Sequence, residues 1–156
     1  MELTGLPRDL LNTARTLLGC KEPTEATARR AVSTAYYSLF HLLTEEACLL
    51  WTVPEHRSRL ARQFDHRRMR EASEACAREC SKSSEVGIAR LCRVANAFVR
   101  AQQSRHKADY DRATVVTQAE AEWEVWLVEL AFFDWPEVRE QPAAKDYLFS
   151  LLFRER

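Results

Sequence analysis

The chain has 156 residues, 46% hydrophobic and 29% charged, with three glycines, five prolines and a formal net charge of zero. That length fits one domain with a core of its own, and no apolar run approaches the roughly 18 residues that span a bilayer. Nothing in Met1–Leu10 reads as a secretory signal, so the expectation is a single cytoplasmic domain over 1–156. The zero net charge hides a segregation. Residues 1–54 carry five basic and six acidic residues, 55–112 carry fourteen and eight, and 113–156 carry four and nine. A basic middle third either steers a polyanion or lies against the acidic last third of the same chain or of a partner. Five cysteines without a C-x-x-C pair fit reduced thiols better than a disulfide framework.

In chain order, Pro7 suits a first helical turn, and Leu10, Leu11, Ala14, Leu17 and Leu18 share one face before Gly19 ends the helix. Thr24 predicts the cap of a second helix, running to about Leu50 with Val32, Tyr36, Leu39, Phe40, Leu43 and Ala47 in its stripe. Residues 55–80 read as a third helix or a broken pair, with Asp65 as the cap of a fresh start at His66. Ser83 or Ser84 is expected to cap a long helix from Glu85 to about Tyr110. Thr117 caps the next, with Trp123, Trp126, Leu127, Leu130 and Phe133 expected to face inward and Pro136 to stop it. A last amphipathic stretch, 143–153, is expected to dock through Tyr147, Leu148, Leu151 and Leu152. The fold class predicted is all-α: an antiparallel bundle of four to five helices with an additional C-terminal helix over 136–156.

The long fifth segment breaks the usual rule of its face. Its stripe passes through Ile88, Leu91, Cys92, Ala95, Phe98 and Val99, then continues at the same spacing as Gln102, Arg105, His106 and Asp109. A buried unpaired charge costs several kcal/mol, roughly, so charges on a core-facing stripe must be paired or used, unless the helix end is solvated there. Arg105 and Asp109, at i and i+4, form either an exposed ion pair or a buried one in which Arg105 also reaches a tyrosine hydroxyl of the second helix, for example that of Tyr37. The dense arginines Arg57, Arg59, Arg67 and Arg68 suit phosphate, or form a solvated basic face. No glycine-rich phosphate loop, G-x-S-x-G elbow or H-E-x-x-H helix is present. Cys76 and Cys80 lack the further ligands zinc wants, His41 sits in an apolar helix as a packed or half-exposed histidine, and neither metal nor cofactor is expected.

Two stretches resemble one family. Arg30-Ala-Val-Ser-Thr-Ala-Tyr36-Tyr37-Ser-Leu-Phe40-His41 is similar to the second-helix signature of HEPN domains, and Arg105-His-Lys-Ala-Asp109-Tyr110 resembles the R-x-x-A-D-Y ending of one branch of that family. The resemblance covers roughly residues 5–135 and implies a HEPN bundle. Many HEPN proteins are metal-independent endoribonucleases of toxin or defence systems, with an Arg and a His four to six residues apart in a cleft between identical subunits. Carried to this sequence, the resemblance implies His106 as general base and Arg100 or Arg105 as phosphate clamp. Ala101 departs from the polar residue usual after the arginine. On an ideal helix Arg100 and His106 stand roughly 120° apart, so they converge only through a helix break or a second subunit. The same resemblance leaves open a non-catalytic module that binds nucleotide or RNA through Tyr37, Asp109, Tyr110 and the basic arginines, or a helical partner of a nucleotidyltransferase or small antitoxin. A homodimer is expected, both from the family and from four Trp and seven Phe in so small a bundle.

Overall fold

Each segment with three- and four-residue apolar spacing is a helix. A computed structural model describes residues 5–153, with no strand among them. It contains α1 (Leu6–Leu18), α2 (Glu25–Leu49), a 3-10 turn at Pro54–His56, α3 (Arg57–Ala61), α4 (His66–Cys80), α5 (Val86–Tyr110), α6 (Gln118–Val138) and α7 (Pro142–Ser150). The fold is therefore an all-α helical bundle. Residues 1–4 at the start of the chain, and 154–156 of the expected C-terminal extension, lie outside the described residues.

Local chemistry sets most boundaries. Pro7 lies in the first turn of α1 and Gly19 caps its end. Thr24 and Thr27 form a reciprocal capping box at the start of α2, as Thr117 and Glu120 do for α6. The segment 55–80 is a broken pair: α3 ends at Ala61, and Asp65 accepts the Arg68 amide at 2.9 Å to begin α4. Neither Ser83 nor Ser84 caps α5. Its N-cap is Glu85, and the Ser83 hydroxyl instead accepts the Glu85 amide at 3.2 Å, one step too early to serve the helix. Pro136 does not stop α6 either. It costs one helical hydrogen bond near the end, and the Arg139 amide closes the following turn on the Trp135 carbonyl at 2.9 Å.

Cross-links between helices give the direction of packing. Arg93 pairs with Asp134, Arg100 with Glu124 and Lys107 with Glu120, so α5 and α6 run antiparallel. Arg29 meets Ala108 and Tyr36 meets Phe98, which sets α2 antiparallel to α5. Gln102 meets His66 and Cys92 meets Ala77, which does the same for α4. α1 packs on α2 and α6, and α7 closes one end against α2 and α4. Tyr36, Leu39, Leu43, Met69, Phe98 and Trp135 fill the centre, essentially without exposure. Each such side chain contributes about 1.5–3 kcal/mol of burial. In α7 and just after it, Tyr147, Leu148, Leu151 and Leu152 are buried as the spacing predicts.

The face of α6 is the main correction. Ala121, Val125, Val128, Phe132, Trp135 and Val138 point into the core, whereas Trp123, Trp126 and Phe133, expected inside, are 50%, 44% and 70% exposed. Leu127 and Leu130 are intermediate. Small residues at 121, 125 and 128 let α6 approach its neighbours closely. Ion pairs on its flanks, Arg15–Glu129 on one side and Arg100–Glu124 and Arg93–Asp134 on the other, fix that rotation.

Candidate functional site at the end of α5

α5 carries its anomalous face into the protein. Arg105 is only 9% exposed, and its guanidinium lies over the rings of Tyr36 at 5.1 Å, Tyr37 at 5.8 Å and Tyr110 at 5.8 Å from their centroids. Its Nη1 stands 3.8 Å from Asp109, one turn on, and Asp109 also accepts the Ser33 hydroxyl at 3.1 Å. The charge is thus held by one carboxylate and three π-faces, a partly desolvated setting in which cation–π contact is worth about 2 kcal/mol. Arg105 meets Tyr37 at its ring face and not at the hydroxyl expected from the sequence.

The Tyr36 hydroxyl goes elsewhere, to Nδ1 of His66 at 2.5 Å. Burial pushes the Tyr36 phenol well above its ordinary value against the pull of Arg105, so it keeps its proton. Burial, followed by the positive charge of Arg105, holds the His66 imidazole below its usual value. The two shifts agree on one arrangement, a phenol donating to a neutral imidazole. His66 is stacked on Phe40 at 4.5 Å, and its carbonyl accepts the Gln102 amide at 2.8 Å. Gln102 Oε1 and Arg105 Nε, on successive turns of α5, are buried without a protein hydrogen-bond partner.

The other residues marked by the sequence are scattered. α5 is unbroken from Val86 to Tyr110, so no helix break brings Arg100 and His106 together. Arg100 is exposed and bidentate to Glu124, with its closest contact at 2.8 Å, in a groove of about 610 Å³ between α5 and α6 lined also by Gln103, Ser104, Lys107 and Trp123. His106 is exposed and stacked on Tyr110 at 5.1 Å, outside that groove. Tyr110 and Asp109 line a second, open groove of about 440 Å³ with Arg29 and Arg30.

The arginine cluster is largely spent on the chain itself. Arg57 donates to the Trp51 carbonyl at 3.0 and 3.1 Å, Arg68 donates to the Leu152 carbonyl, and Arg67 pairs with Glu71 at 3.0 Å. Arg59 is exposed beside Trp51 and His56 in a shallow depression. Cys76 and Cys80 lie 3.6 Å apart between α4 and α5, and burial raises both thiols. His41 is half-buried and burial lowers its imidazole.

One functional contact had no sequence signal of its own. Arg29 Nη1 donates to the Lys107, Ala108 and Asp111 carbonyls at 3.3, 2.9 and 2.9 Å, and Nη2 to Thr114. It binds carbonyls at and just beyond the C-terminus of α5, one of them, that of Lys107, already accepting the Asp111 amide, and ties them to the N-terminal part of α2. The need for such donors is general, but a partner nearly eighty positions upstream is not legible in the chain. The Tyr36–His66 bond was likewise missed.

No described helix is long and apolar enough to cross a membrane. A scan against protein-family models gives no match, and comparisons with curated proteins and with solved structures give none.

Proposed function

We propose that this chain is a HEPN-like helical module that acts by associating with protein rather than by cutting RNA. One observation carries the reading: the guanidiniums offered as phosphate clamps are committed within the fold, Arg105 to Asp109 and three tyrosine rings and Arg100 to Glu124, while large aromatic side chains face outward on α6. Buried Arg105 must give up Asp109 and its rings before it binds phosphate, and on Arg100 the Glu124 carboxylate offsets the positive charge that would attract one. The partners consistent with the resemblance are a second copy of the chain, and a nucleotidyltransferase or small antitoxin in a cytoplasmic two-component system.

The nuclease reading keeps one supporting observation, the exposed imidazole of His106 on the ring of Tyr110. It needs an arginine from a second subunit beside that imidazole. The test is incubation of a labelled RNA pool with the full-length protein in chelator, beside His106→Ala. The association reading expects no cleavage by either form. Cleavage by the wild type that falls by roughly two to four orders of magnitude in His106→Ala overturns it in favour of general-base catalysis. Binding of the same RNA, followed as salt is raised, separates the nucleic-acid module: tight, salt-sensitive binding lost in Arg59→Ala would move the function to RNA.

A further inference from the structure

Where the start of α1 passes over α2 and the end of α6, the bundle leaves a cleft of about 150 Å³. Pro7, Leu42 and Phe132, all buried, form its inner walls, and its mouth opens past the exposed Arg8 and Pro136. Two polar groups interrupt this apolar lining. Trp135 is 2% exposed, and its Nε1 is buried with no hydrogen-bond partner. Glu46, from α2, is 4% exposed and is held by Arg139, whose Nε and Nη2 both reach Oε2 at 3.1 Å, so that pair does not use Oε1. A buried indole N–H ordinarily finds an acceptor, because its bond to water is otherwise lost without replacement. Burial holds the Glu46 carboxyl above its ordinary value, against the pull of Arg139 and of the Trp135 indole beside it. The indole thus stands near the carboxylate without bonding it, and a donor and an acceptor face one small apolar space.

We infer that this cleft is a binding site for a simple phenol: the ring lies between Pro7, Leu42 and Phe132, and the hydroxyl accepts from Trp135 Nε1 and donates to Glu46. The inference goes beyond the association reading and does not rest on it. Size, polarity and charge select this class of ligand. A cavity of about 150 Å³ with aliphatic and aromatic walls is large enough for one benzene ring. Filled with water, at about 30 Å³ each, it would hold several molecules whose polar contacts end at the indole and the carboxylate.

Polarity narrows the class. A hydroxyl both accepts and donates, so one oxygen satisfies both groups, whereas a carbonyl only accepts and an ammonium only donates, and each leaves one of the two unpaired. Charge narrows it further. Glu46 and Arg139 already cancel, so the interior offers no counter-ion, and a carboxylate ligand would stand against Glu46. Arg8 lies at the exposed mouth, where water screens it.

The chain has four tryptophans, so a nuclear magnetic resonance spectrum of the isotope-labelled full-length protein carries four indole N–H signals, and Trp135→Phe identifies the one in the cleft. Phenol is titrated against it, with toluene and benzoate as comparators. Phenol is expected to move the Trp135 signal saturably at about millimolar concentration, the range open to so small a ligand. Toluene should bind about tenfold more weakly for want of the hydroxyl, and benzoate more weakly still. Leu42→Phe, which fills the cleft, should abolish the shift while helical circular dichroism stays unchanged. Trp135→Phe, followed by calorimetry, should weaken phenol about tenfold and leave toluene where it was, a split that mere loosening of the cleft does not produce. No saturable shift, a shift shared equally by all four indoles, or binding that survives Leu42→Phe overturns the site. Toluene binding as tightly as phenol overturns the role of the hydroxyl and leaves a plain apolar void, and tighter benzoate overturns the neutral class. Should Leu42→Phe lose helicity, nuclear Overhauser contacts from the phenol ring to Leu42 and Phe132 in the wild type take its place, and their absence overturns the location. None of these outcomes is read from oligomeric state or RNA cleavage, so the cleft can fail while the association reading stands.

Discussion

The end of α5 and the outer face of α6 break the same rule in opposite directions. α5 turns a guanidinium and a carboxylate inward, and α6 turns two indoles and a phenyl outward. The inward charges meet partners within this chain, Asp109, Ser33 and the rings of Tyr36, Tyr37 and Tyr110, although Arg105 Nε makes no hydrogen bond. Two of the outward rings meet each other, in the Trp123–Trp126 contact at 4.9 Å, and all three stay largely open to solvent. A violation that is locally satisfied speaks for architecture, whereas one left open on the surface speaks for something outside the monomer.

The contrast can be broken most forcefully inside α6 itself. Trp135→Ala removes a ring that is 2% exposed and should cost about 3–5 kcal/mol, while Phe133→Ser, two residues earlier, should stay within about 0.5 kcal/mol in the isolated chain. Urea denaturation of both variants, at a concentration where wild type is monomeric, measures the difference; equal losses would mean that Phe133 is covered within the protomer. Next in size, Arg105→Ala should destabilise by about 2–4 kcal/mol, because it strands the Asp109 carboxylate and empties the space between the tyrosines. Arg105→Lys should recover only part of this, since an ammonium lacks the flat face that stacks. A neutral result for Arg105→Ala would identify the pair as a solvated one after all.

The smallest expected effect is one of pH. The His66 and His41 imidazoles sit below their ordinary value, chiefly through burial. The native state thus binds fewer protons than the unfolded one as pH falls through the ordinary histidine value of about 6.5. Their contribution is complete above that pH and declines below it until the folded-state values are passed. Glu46, raised by burial against the attraction of Arg139, works in the opposite sense at lower pH. His66→Gln should therefore flatten the fall in melting temperature between pH 7.5 and 5.5. A variant with the wild-type slope would remove His66 from the account.

Most of the fold was legible because helices announce themselves locally. Thr24, Asp65 and Thr117 are caps with their donors three residues away, and Tyr147, Leu148, Leu151 and Leu152 are buried as spaced. The rotation of α6 was not legible. Its hydrophobicity is nearly even around the axis, so Trp123, Trp126 and Phe133 appeared to define the inner face, while the true inner face is alanine and valine over its first three turns, with Phe132 and Trp135 beyond. Arg105 was marked by its position on the stripe of α5, and its partner Asp109 by the i, i+4 spacing. Tyr110 and Tyr37 also proved to be in the same group. His106 was read on that same stripe, but it is exposed: the inward arc at the end of α5 is narrow enough to take Arg105 and Ala108 and leave the neighbouring position outside.

Arg29 gives the order of assembly a direction. Its carbonyl partners lie 78, 79, 82 and 85 positions away along the chain. Loops of that length close at an entropic cost that local contacts, such as the α1–α2 hairpin, do not bear. A clasp that closes after the second and fifth helices have met acts on the lifetime of the finished bundle, so Arg29→Ala is expected to raise the unfolding rate more than it lowers the folding rate, as stopped-flow measurement of both would read.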